Sequence, residues 1–298
     1  RILLDPKTNV AAEIKAGNGK LAQAVLGLVA VDKVTLAQLP VSQVAAATKV
    51  VKLITENVRV KEQVAPETLR AATENLLENV SRRATPEAQK TLSAEDREDV
   101  SIAASQLLIV VPAVFTKAEA AAPEIAAPQS VLFRAAFEPV VQAKAVAAAE
   151  GQAVAPVSLE QALLLGQAAR VAVQSGVGLQ DGAFLQSALS ATSELLQSAL
   201  QQEPAANATE EIAAQKQILI ERDNLRNTVD QKAVREQLSE PFVEALVRDL
   251  QAKTLASERL EIPALKIDLA SVFSAFDAAT LEGEITEDLA AALQQLDI

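Results

Sequence analysis

Along most of this chain, apolar residues return every three to four positions, the period of a helix with one buried face. After Pro40, VSQVAAATKVVKLITENV places Val44, Thr48, Val51, Leu53, Ile54 and Val58 in an amphipathic arrangement. Pro66 and Glu67 then open PETLRAATENLLENV, which sets Leu69, Thr73, Leu76, Leu77 and Val80 on one stripe, with proline at the first helical position, where its missing N–H does no harm. Thr85-Pro86-Glu87 and Ser93-Ala94-Glu95-Asp96 predict two further helix starts. Each is a hydroxyl cap followed by acid in the first turn, where the helix dipole favours it.

The N-terminal region is ambiguous. Asn18-Gly19 between short mixed runs is a hairpin signal, so a small β-hairpin is one expectation, while KLAQAVLGLVAV from Lys20 onward reads as a buried helix. Five of the twelve prolines fall between Pro112 and Pro156, in sequence such as AEAAAPEIAAP. That composition predicts an irregular Ala/Pro-rich connection over 112–157 between helical regions at 1–111 and 158–298. Within it, the four-residue spacing of Phe133 and Phe137 favours helix over a strand pair.

Beyond the connection, Ser158 and Gln161 form a capping pattern before a helix that ends at Gly176. The pentapeptide LQSAL begins at Leu185 and again at Leu196; eleven residues is close to three turns, so both copies lie on one face of a single helix. Gly176, Gly178 and Gly182 follow a helix rather than a strand and read as a helix cap and turn, not a phosphate loop. Asn207 and Glu210 cap another helix, and PFVEALVRDLQAKTL and EDLAAALQQL supply two more. The expected fold is all-α with about ten helices, a multi-helix bundle or two helical subdomains.

Composition narrows the chemistry. Cys, His, Met, Trp and Tyr are all absent, and the only aromatic residues are seven Phe. Without His, Cys or Tyr there is no Ser-His-Asp triad, thiol nucleophile or phenol acid, and zinc, copper, haem iron and iron–sulfur clusters lose their preferred ligands. A Ser-Lys pair, a carboxylate pair, a lysine Schiff base or an all-oxygen cation site remain. The missing types are also the readily oxidised ones, which suits a long-lived, exported, extracellular assembly, and equally a restricted design alphabet.

The formal charge of −12 and pI near 4.7 repel phosphate backbones and anionic lipid as a whole, so no nucleic-acid partner is expected. The longest strongly apolar uncharged run, 100–116, holds Ser, Gln and Pro112 and falls short of a membrane span. The expectation is a non-catalytic structural or interaction protein that packs through Ala/Leu-rich helices against protein partners or copies of itself. A helical carrier of an apolar or pigment ligand is the alternative. The sequons at Asn79 and Asn207 are candidate glycan acceptors.

Two stretches resemble known families. The segment 77–108, LENVSRRATPEAQKTLSAEDREDVSIAASQLL, is similar to the helical subdomains that precede the membrane in polycystin-type and adhesion-receptor ectodomains, and no function is carried across on it. Near the C-terminus, SVFSAFDAATLEGEITEDLAAALQQL resembles an EF-hand: Phe276-Asp277, then Gly283, Ile285-Thr286 and an outgoing helix with Leu289 and Leu293. The resemblance implies a calcium loop with ligands drawn from Asp277, Glu282, Glu284 and Asp288. Counted from Asp277, however, Ala279 and Leu281 stand at the third and fifth positions, glycine comes one place late, and the twelfth residue is Asp288. A loop of that family needs oxygen at those positions, so no cofactor is expected apart from weakly held calcium, and the simpler reading is a helix capped by Thr286.

Overall fold

The computed structural model describes residues 10–31, 33–204 and 208–260, side chains at 180 and 258–260 excepted. Every regular element among them is helical, in an all-α multi-helix bundle. The first, α1 (Val10–Lys15), ends where Gly17 takes φ +99°, and α2 (Gly19–Val31) begins directly after Asn18. The Asn18 side-chain oxygen accepts the Leu21 N–H at 3.1 Å, and its amide donates to Glu13 at 3.3 Å. An asparagine engaged as a helix cap does not form a hairpin turn. The β-hairpin expectation is therefore corrected to helix-turn-helix.

Next come α3 (Lys33–Gln38), α4 (Val41–Glu56) and α5 (Val58–Lys61). Val44, Thr48, Val51 and Ile54 are buried on α4 as their spacing predicts. The stripe stops short of Val58, because Asn57 breaks the helix and its side chain accepts the Val60 N–H at 3.3 Å to start α5. Val58 is consequently 65% exposed. On α6 (Pro66–Arg83) the predicted face, Leu69, Thr73, Leu76, Leu77 and Val80, is buried. The hydroxyls of Thr85 and Ser93 cap α7 (Pro86–Gln89) and α8 (Ala94–Val114) as expected.

After the short α9 (Lys117–Ala120), α10 (Pro123–Glu150) runs for 28 residues through the stretch expected to be an irregular connection. Pro123 sits in its first turn, and Pro128 and Pro139 lie inside it. An interior proline removes one i→i−4 bond and costs roughly 3 kcal/mol. Against this, Leu132, Phe133, Ala136 and Phe137 are buried, and each large side chain contributes about 1.5–3 kcal/mol. Tertiary burial therefore outweighs local composition, and the longest non-helical run there is 151–158.

The remaining helices are α11 (Leu159–Ser175), α12 (Gly182–Gln201), α13 (Thr209–Val229), α14 (Lys232–Arg235), α15 (Glu240–Gln251) and α16 (Leu255–Leu260). Both LQSAL copies lie in α12 and bury Leu185, Leu189, Leu196 and Leu200, as predicted. Helices α4, α6, α10 and α11 all pack on α8, and α12, α13 and α15 extend the bundle beyond α11. That central position explains the 100–116 apolar run: a helix surrounded by others is apolar nearly all round. The chain divides into a compact unit of Arg1–Ser257 and a second of Glu258–Ile298, so the first unit runs through 112–157.

Long polar side chains finish several helix ends from across the bundle. Asn75 donates to the Val29 and Ala30 carbonyls at 2.9 Å, Arg83 to Leu39 at 2.7 Å, Gln215 to Gln202 at 2.7 Å and Lys61 to Ala113 at 3.2 Å. The last carbonyls of a helix have no partner within it. These contacts supply one and tie each terminus to a neighbouring helix.

Candidate functional site

Of the residues predicted to bind calcium, Asp277, Glu282, Glu284 and Asp288 all lie outside the described residues, as does the sequon residue Asn207. Asn79 is described. It sits inside α6 at 8% exposure, its side-chain oxygen buried without a hydrogen-bond partner. A glycan on that amide would require α6 to leave its neighbours. Among the described residues no group of three or more Asp and Glu is arranged to hold a metal ion, and no helix is long and apolar enough to cross a membrane.

One of the surviving chemistries takes shape in the fold. Lys144 on α10 places its Nζ 2.6 Å from Ser190 Oγ on α12 and 2.7 Å from Glu194 Oε1 one turn further on. The i,i+4 spacing of Ser190 and Glu194 puts both on one face of α12, so half of this cluster was visible in the sequence. Its partner, 46 residues earlier, was not. A lysine that activates a serine must be a neutral amine accepting the hydroxyl proton. Here Lys144 Nζ instead donates to the Ser190 hydroxyl and pairs with the Glu194 carboxylate. Ser190 also lies mid-helix, where backbone N–H groups are committed to the helix and cannot form an oxyanion hole. This cluster, as arranged, ties α10 to α12.

A second polar contact crosses from α11 to α13. Arg170 Nε meets Glu221 Oε1 at 2.5 Å, with the Glu221 side chain 6% exposed, and Gln174 donates to Thr228 at 3.3 Å. Gly166 allows this approach: a Cβ there would lie 3.1 Å from Leu196 Cδ2 and 3.2 Å from Glu221 Cγ. The glycine-rich turn behaves as its composition predicts. Gly176 and Gly178 take φ of +77° and +82°, and Asp181 caps α12 by accepting the Phe184 N–H at 3.2 Å while also pairing with Arg134 at 2.5 Å.

The surface offers shallow hollows open to solvent. One of about 450 Å³ is lined by Lys15, Leu53, Glu56, Asn57, Val58 and Arg59, and another of about 600 Å³ lies near Leu159 and Gln202. More distinctive is the outward face of α2. Ala24, Gly27, Leu28 and Val31 follow one another at i, i+3, i+4 and i+7, and from Leu21 to Val31 the helix has no charge. Leu28 is 49% and Val31 85% exposed, and the space beside Gly27 is open. Sequence reasoning missed this stripe because an apolar run reads as buried on every side until its neighbours are known.

No protein-family model, curated protein or solved structure matches this chain.

Proposed function

We propose that this protein is a non-catalytic helical scaffold that associates with copies of itself, within a larger extracellular assembly, through the outward stripe of α2. The observation that carries the reading is that stripe, with Leu28 and Val31 presented to solvent beside the small Gly27. Apolar side chains grouped at helical spacing favour a second surface over water, and small residues let a facing helix approach closely. A composition without readily oxidised side chains supports a long-lived setting outside the cell. The Lys144–Ser190–Glu194 cluster is better suited to joining helices than to acyl transfer. The carrier alternative has less to support it, since the hollows are open surface features.

Sedimentation velocity over a concentration series tests the reading, with refractive detection because Trp and Tyr are absent. The wild type is expected to sediment above the mass of one chain, and Leu28→Asp/Val31→Asp to sediment as one chain with unchanged helicity. A wild type that stays monomeric throughout would overturn it.

A further inference from the structure

The two parts of α10 are held very differently. Before Pro139 its inward stripe is Ile125, Gln129, Leu132, Phe133, Ala136 and Phe137, all buried. Ser101 of α8, itself buried, donates its hydroxyl to the Ala136 carbonyl at 3.0 Å, which pins the last turn of this stem to the central helix. Past Pro139 the stripe continues through Val140, Lys144 and Ala147, and among residues 141–150 Ala147 alone is buried. Burial free energy scales with apolar area, and Ala147 brings one methyl where Phe133 and Phe137 bring rings. The surface that these last turns meet on α12 is polar: Lys144 Nζ lies 2.6 Å from Ser190 Oγ and 2.7 Å from Glu194 Oε1. Both members of that ion pair are partly exposed, so salt screens it and it contributes little.

We propose that residues 141–150 form a rigid arm that swings off α12 about Pro139 while the stem of α10 stays in the core, with the Lys144–Glu194 pair as the strap that holds it shut. Pro139 has no N–H to offer the Ala135 carbonyl, and helices bend where that bond is missing. At the other end the arm stops at Gly151, which takes φ +66°, and the chain then runs without helix to residue 158. The arm keeps its own helix as it moves. Its sequence from Ala143, AKAVAAAE, is rich in the strongest helix former, and the Gln152 N–H closes its last turn on the Ala147 carbonyl at 2.8 Å. Opening breaks one ion pair and uncovers one buried alanine, whereas release of the stem would expose the whole apolar stripe. The arm shares no residue with the α2 stripe, so it stands whether or not the chain associates.

The chain has no cysteine, so a single introduced thiol reports the opening. The rate at which Ala147→Cys reacts with a thiol reagent is measured against urea and salt. Labelling is expected to depend only weakly on low urea, because a local opening exposes little surface, and to quicken as salt rises. Adding Glu194→Ala is expected to speed it roughly threefold, and adding Pro139→Ala, which restores the helix donor, to slow it. Val141→Cys, half-buried on the same arm, repeats the series should the thiol at 147 lower helicity. Labelling that climbs with urea as steeply as global unfolding, or that either Glu194→Ala or Pro139→Ala leaves unchanged, overturns the arm.

Discussion

Arg170 and Glu221 meet across the α11–α13 interface at 2.5 Å, with the carboxylate almost wholly out of water. Removing one member of a buried pair leaves the other charge uncompensated, which costs about 3–5 kcal/mol; the partial exposure of Arg170 places its loss at the lower end. Arg170→Ala is therefore expected to lower the urea midpoint sharply. Replacing both residues with Arg170→Met/Glu221→Leu is expected to recover most of that loss. A double variant as unstable as the single one would show that the cost lies in packing rather than in the stranded charge.

Gly178 lies against the Phe133 ring so closely that a Cβ there would sit 2.5 Å from ring carbon Cε1, and its φ of +82° is one that side chains other than glycine resist. Gly178→Ala is expected to destabilise by about 1–3 kcal/mol from the backbone alone, with the clash added. Phe133 also packs at a tilt against Phe137 at 5.1 Å and edge-on to Phe184 at 5.7 Å, so the ring has little room to yield. Chemical denaturation of Gly178→Ala with and without Phe133→Leu checks this. The smaller side chain should recover the clash component and leave the backbone component.

Glu119 closes a capping box with Thr116 and accepts from Arg70 at 2.5 Å. The Arg70 hydrogen bond, then those from Thr116, hold its carboxyl down at about 2, against an ordinary 4.5. A carboxyl lowered by folding contributes stability that is complete above its unfolded value and disappears as pH falls through its folded one. The contribution of Glu119 is thus lost between pH 4.5 and about 2. Glu119→Gln is expected to flatten the fall in melting temperature across that window. Added salt should shrink the difference, because the group is exposed and screened.

Calcium is expected to leave melting temperature and helicity unchanged, because Ala279 and Leu281 stand where the EF-hand pattern that this sequence resembles needs oxygen ligands. A calcium-dependent rise in melting temperature would assign Asp277, Glu282, Glu284 and Asp288 a binding role after all.

Much of the fold was legible because it depends on short-range rules. The buried stripe of α6, the hydroxyl caps at Thr85 and Ser93, the glycine stop at Gly176 and the single helix through both LQSAL copies follow from spacing and local hydrogen bonding. Local reasoning went astray where one residue type serves two backbones. Asn18 can turn a hairpin or cap a helix, and it caps. Proline usually ends a helix, yet α10 continues past Pro128 and Pro139. The candidate sites were less legible still. Ser190 and Glu194 share a face, but nothing local indicates that Lys144 will stand between them.

The sequence by itself determined that this is a helical protein without thiol, imidazole or phenol chemistry, because residue identity and the helical period settle both. Tertiary structure decided which apolar faces were covered. The 100–116 run became the central helix because four others pack on it, while Leu28 and Val31, equally apolar on paper, were left facing water. Burial is a relation between distant segments, and hydropathy read along one segment has no access to it.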